Sequence, residues 1–178
     1  IVTLKYRIPC FGAPAGGSAT MSDVREAITL LRANYDVVLA LGGSAGAHLL
    51  TNTNGLGTPR TDAQVLVVLP LVASRGDDAG MGLSRGVTDG TSYDPTNTVS
   101  AQTPPTYLIY GGDDSYTTNV SYYTLYENAL SRAGVCHREQ YWPSGTHTSV
   151  WTLANYTALR QWLAQQASAA LASSPPSC

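Results

Sequence analysis

One stretch limits the possible folds more than any other: Leu39-Ala40-Leu41-Gly42-Gly43-Ser44-Ala45-Gly46-Ala47-His48-Leu49-Leu50, in which an apolar run turns through three glycines around one serine and leaves as a second apolar run. Val37-Val38-Leu39-Ala40-Leu41 has the unbroken apolar character of a strand buried on both faces, and a helix can start at Ala45. A strand that ends in a tight turn and passes at once into a helix holds the serine hydroxyl clear of the backbone, where a substrate carbonyl can reach it. Glycine is expected at Gly42 and Gly46 because strand and helix cross too closely there for side chains. The pattern is G-x-S-x-G in a strand-turn-helix setting.

The 178 residues, 43% of them hydrophobic, suit one domain, expected over residues 1–171 with a Ser/Pro-rich tail at 172–178. Charged residues make up 12% of the chain and the net charge is -2, which excludes a basic nucleic-acid face and a polybasic membrane anchor. No apolar run reaches the roughly 18 residues of a spanning helix. Lys5 is the single lysine, sequons occur at Asn119-Val120-Ser121 and Asn155-Tyr156-Thr157, and the chain closes on Ser173-Ser174-Pro175-Pro176-Ser177-Cys178. Together these point to a secreted protein. Cys10, Cys136 and Cys178 allow at most one internal disulfide and leave one thiol, and their spacing fits no metal site. No cofactor is implied.

Read in order, Ile1 to Arg7 alternates β-branched and polar residues and predicts a strand ended by Pro9. Thr20-Met21-Ser22-Asp23 offers caps for a helix running to about Asn34, with Val24, Ala27, Ile28 and Leu31 on its buried face. After the elbow, Val65 to Leu71 is a third buried strand, Ala73 to Pro105 is irregular, and Thr106 to Tyr110 is a fourth strand. Val120 to Ala133 predicts a helix closed by Gly134, Val135 to Trp142 a fifth strand, and Thr152 to Leu171 a last helix with Leu153, Tyr156, Leu159 and Leu163 inward. Strands alternating with helices imply an α/β domain of three layers, α/β/α, around a mostly parallel sheet.

In such a sheet the loops after the strands' carboxyl ends meet at one edge, and three of them carry Ser44, Asp113-Asp114 and His147. A serine hydroxyl needs a base, and the base needs a partner that fixes its tautomer and stabilises it when charged. The run from Tyr6-Arg7 through Ser22-Asp23-Val24, the Gly42-to-Leu49 elbow and Pro104-to-Gly111 to Gly145-Thr146-His147 resembles the α/β-hydrolase serine esterases of the acetyl-xylan, feruloyl and hormone-sensitive-lipase-like type. The order Ser, Asp, His is also theirs. The resemblance covers nearly the whole chain and implies Ser44 as nucleophile, His147 as base and Asp114 as orienting acid, with Asp113 in reserve. It also implies a structural role for His48. His137, beside Arg138 and Glu139, reads as a surface residue.

The chain departs from these esterases in one respect: no strand ending in a His-Gly-Gly loop precedes Ile1. One oxyanion donor, the N–H of Ala45, is expected from the elbow; the other is missing from its usual place. In the family that strand lies between the Tyr-Arg strand and the elbow strand, so a gap, or direct pairing of the two, is expected. Three arrangements fit: a fragment, a partner chain that supplies the strand, or a pared-down fold in which the N–H of Cys10, Phe11 or Gly12 faces Ser44. The implied function is hydrolysis of short-chain acyl or carbohydrate esters through an acyl-enzyme. The alternatives are a peptidase of the same fold and an impaired or inactive binding domain.

Overall fold

The computed structural model describes residues 1–6, 17–55, 57, 59–69, 95–114, 120–176 and 178, with side chains at 17, 18 and 120–122 excepted. Four strands, β1 (Leu39–Gly43), β2 (Ala63–Val67), β3 (Thr106–Gly111) and β4 (His137–Trp142), form one sheet in the order β1-β2-β3-β4. Every pairing is parallel, with Leu39 opposite Ala63, Gln64 opposite Thr106 and Thr106 opposite His137. The helices are α1 (Gly17–Asn34), α2 (Ala45–Gly55), α3 (Pro95–Thr98), α4 (Val120–Arg132), α5 (Val150–Leu153) and α6 (Tyr156–Leu171).

Side chains alternate across a strand, and here the two faces bury separate cores. Leu66, Leu108 and Tyr110 pack with Ile28 of α1, Leu49 and Leu50 of α2, and Tyr126 and Leu130 of α4. Val65, Val67, Tyr107 and Ile109 pack on the opposite face with Val150 of α5 and Leu159 and Trp162 of α6. The three-layer α/β architecture is therefore present. Strands β2 and β3 are buried at every position, as an apolar strand with helices on both faces must be.

Several boundaries differ from expectation. Residues 1–6 form no strand, and the sheet begins at β1 among the described residues, so the predicted first strand neither pairs with the elbow strand nor flanks it. Alternation alone does not make a strand; a hydrogen-bonding neighbour does. The elbow strand runs 39–43 and not 37–41, because Val38 is held by Asp62: its N–H donates to the carboxylate at 2.7 Å, and its carbonyl accepts from Asp62 N–H at 2.8 Å. Helix α1 starts at Gly17, which puts the expected cap residues 20–23 inside it, and Ser22 donates to Glu26 one turn on. The third strand ends at Val67, where Val68 adopts φ 48°. The expected last helix is two helices. Asn155 separates them, its side chain accepting from Ala158 N–H at 3.1 Å to cap α6. The break turns Leu153 and Tyr156 outward and leaves Leu159, Trp162 and Gln166 as the buried residues. Gly134 closes α4 as expected, at φ 68°, with Val135 N–H donating to Leu130 carbonyl and Gly134 N–H to Ser131 carbonyl.

Candidate active site

Ser44 is the corner between β1 and α2. Its φ is 51°, a left-handed conformation that an L-residue adopts only when its surroundings enforce it. Three bonds enforce it: Ser44 N–H donates to Val67 carbonyl at 2.9 Å, and Ser44 carbonyl accepts from Ala47 and His48 N–H at 2.9 and 3.2 Å. A Cβ on Gly42 would stand 2.5 Å from Gly46 carbonyl oxygen and 2.7 Å from Ala47 nitrogen, so glycine there is a condition of the turn. The same expectation for Gly46 does not hold: a Cβ there meets nothing within 4 Å. It is the backbone of Gly46, and not its missing side chain, that Gly42 must clear.

Two further loops reach this corner from the ends of β3 and β4. After β3, Gly112 N–H donates to Trp142 carbonyl at 2.9 Å and Asp113 N–H to Gly145 carbonyl at 3.0 Å, which seats the acidic loop on the loop after β4. That second loop is tightened by a reciprocal pair, Thr146 N–H to Ser149 Oγ at 2.8 Å and Ser149 N–H to Thr146 Oγ1 at 3.2 Å. His147 lies inside this turn. Its Nε2 is 3.1 Å from Ser44 Oγ, and its Nδ1 is 2.9 Å from Asp114 Oδ2 and 3.2 Å from Oδ1. The Asp114 side chain is fully buried, whereas that of His147 keeps 22% of its surface accessible.

The structure thus brings Ser44, His147 and Asp114 into one hydrogen-bonded line. Asp113, one residue earlier, is exposed and meets the His147 loop through its backbone alone among these bonds. Ala45 opens α2 beside the serine. Cys10, Phe11 and Gly12, the expected second oxyanion donors, lie outside the described residues. His48 is buried on α2 with Asn52 Nδ2 3.3 Å from its ring, and His137 sits on β4 with Nδ1 3.0 Å from Val135 carbonyl oxygen. Among the described residues no group of three or more His, Cys, Asp or Glu could hold a metal ion. The disulfide left open by three cysteines joins Cys136 to Cys178.

No protein-family profile matches the chain, and no curated protein matches its sequence. Solved structures do match. An acetyl ester-xyloside bifunctional hydrolase from Caldicellulosiruptor lactoaceticus is 24% identical with TM-score 0.68, over 89% of this chain and 66% of that one. MGS-M1, an α/β-hydrolase enzyme from a Medee basin deep-sea metagenome library, is 19% identical with TM-score 0.66, over 86% and 67%. The chain has an α/β-hydrolase fold. Esterase 2 of Thermogutta terrifontis, in its tabun-phosphoramylated form, superposes with TM-score 0.68 at 19% identity, over 84% and 65%. The chain spans about two thirds of the length of these α/β-hydrolase-fold proteins.

Gln140 and Trp151 are not announced by the sequence, because the fold brings their partners Tyr107, Asn155 and Gly43 to them. Thr146 and Ser149 bond each other three residues apart, a local spacing that could have been read.

Proposed function

We propose that the chain is a serine carboxylesterase. The observation that carries this is the position of His147, with one ring nitrogen 3.1 Å from Ser44 Oγ and the other 2.9 Å from a buried Asp114 oxygen. Both separations lie within the reach that proton transfer requires. In the proposed reaction Ser44 Oγ attacks the ester carbonyl while its proton passes to His147 Nε2. The buried carboxylate of Asp114 accepts the Nδ1–H bond, selects that tautomer and stabilises the imidazolium. The oxyanion takes a hydrogen bond from the N–H of Ala45. His147 returns the proton to the leaving alcohol, and water, deprotonated by the same nitrogen, then releases the acid and restores Ser44.

The proposed substrates are short-chain acyl esters, including those of carbohydrates. The fold shared with an acetyl ester-xyloside hydrolase supports this class, as does the 12% charged content, which suits an uncharged ligand. Secretion is part of the proposal: the Cys136–Cys178 disulfide belongs in an oxidising compartment. Hydrolysis of short-chain nitrophenyl esters by the wild type and by Ser44→Ala tests the reading. Turnover by the wild type and its loss in the variant are expected; equal rates, or a folded wild type without turnover, would overturn it.

A further inference from the structure

The loop carrying His147 is fastened differently on its two sides. Towards the acid it is tied by backbone hydrogen bonds, Asp113 N–H to Gly145 carbonyl and Gly112 N–H to Trp142 carbonyl. Towards the serine it is fastened by packing. Strand β1 directs Leu39 to the core shared with α5 and α6 and Ala40 to the opposite core, so the two-residue period turns Gly43 towards α5. There the indole of Trp151 rests on it: a Cβ at position 43 would overlap Cζ2 and stand 2.5 Å from Cη2. Gly43 does not have the positive φ that would itself call for glycine, and the atoms in the way belong to this one side chain. A residue without a side chain and the largest side chain, far apart in sequence, therefore fit each other by size.

Trp151 is itself held. Its N–H donates to Thr148 carbonyl at 3.3 Å, and its carbonyl accepts from the Tyr156 hydroxyl at the start of α6. Its neighbour Val150 is fully buried, which anchors α5. The contact joins the residue before Ser44 to the residue four after His147. We propose that Trp151 is a positioning residue that sets the separation of His147 Nε2 from Ser44 Oγ by seating its indole on Gly43. This inference rests on the serine esterase reading. It acts through His147, and the chemical step should feel it while ground-state binding of the ester does not.

The test compares wild type, Trp151→Ala, Trp151→Phe, Gly43→Ala and the Gly43→Ala/Trp151→Phe pair, by the rate of labelling with a fluorophosphonate and by kcat and KM on a short-chain nitrophenyl ester. Displacing a reacting pair by about 1 Å costs on the order of 100-fold. Trp151→Ala and Gly43→Ala should each slow labelling and lower kcat by about 10- to 100-fold with KM near its wild-type value. Trp151→Phe should retain most of the rate, and the pair should be faster than Gly43→Ala alone, because the smaller ring leaves room for the methyl group. Unchanged labelling in both Trp151→Ala and Gly43→Ala overturns the inference, and so does a raised KM at constant kcat, which would make Trp151 a substrate contact. Should Trp151→Ala fail to fold by its melting profile, Gly43→Ala, which keeps the indole, decides. A wild type that does not react at all fails the esterase reading itself, a result distinct from a reactive wild type with indifferent variants.

Discussion

Ser44 holds φ 51° in a turn whose tightness comes from one neighbour, Gly42. Gly42→Ala puts a methyl group 2.5 Å from a backbone oxygen that cannot swing aside, so a loss of about 1–3 kcal/mol is expected in urea unfolding. Gly46→Ala has open space inside helix α2 and should instead gain about 0.5–1 kcal/mol. The two acids differ as sharply. Asp114→Asn leaves the His147 bond geometry in place but favours the wrong imidazole tautomer, so kcat on a short-chain ester should fall by about 10,000-fold. Asp113→Asn, which alters an exposed side chain and leaves the backbone bond to Gly145, should keep kcat within about twofold of wild type. The serine, the histidine and the acidic pair were legible in the sequence because each follows a strand end. The resemblance puts Asp114 ahead of Asp113, and it is the Asp114 carboxylate that stands 2.9 Å from His147 Nδ1.

Among the elements, the strongly apolar ones were legible and the polar signals were not. Strand β3 and helix α4 read correctly, and β2 was found but displaced towards its C-terminal side, because burial on both faces, or a glycine closing a helix, is a local signal. The break between α5 and α6 was not legible, since no glycine or proline lies between Val150 and Leu171. Gln140 of β4 marks it: its Oε1 accepts from Asn155 N–H at 2.6 Å, and its Nε2 donates at 3.1 Å to the Asn155 carbonyl, which also accepts from Leu159 N–H at 3.0 Å. A second polar cluster joins β3, β4 and α4: the Tyr110 hydroxyl donates to Glu139 at 2.5 Å and stands 3.2 Å from Glu127. Burial, and then the bond with Glu139, raise the Glu127 carboxyl to about 8, while the bond from Glu127, with the Tyr110 hydroxyl and then His137 adding to it against the cost of burial, holds Glu139 below the ordinary carboxylate value. Folded protein thus keeps a proton on Glu127 that the unfolded chain releases near 4.5, and stability falls as pH rises from there towards about 8. Glu139 has the opposite sign: its contribution is present above its unfolded value and is lost only as pH falls through its depressed folded one. Melting temperature should therefore decline across about pH 5 to 8 in the wild type and stay flatter in Glu127→Gln.

For the molecule as a whole, a parallel sheet with two cores carries three loops to one edge, and the disulfide closes the far end. Cys136 and Cys178 lie 42 residues apart with Cα atoms 5.2 Å from each other, enclosing β4, the His147 loop, α5 and α6. Arg138 adds a 2.8 Å bond to Cys178 carbonyl. Cys178→Ser should cost about 2–4 kcal/mol in equilibrium unfolding by releasing that loop in the unfolded chain. Which cysteines pair was not legible, because spacing leaves the choice open until β4 and the end of α6 are placed in space. Ser44 is proposed as the group that reacts, and treating the intact protein with a fluorophosphonate and mapping the adduct by peptide mass spectrometry tests this most directly. One adduct is expected, on Ser44, formed in the wild type and absent from His147→Ala; an adduct on another residue, or none on folded wild-type protein, would contradict a reactive Ser44.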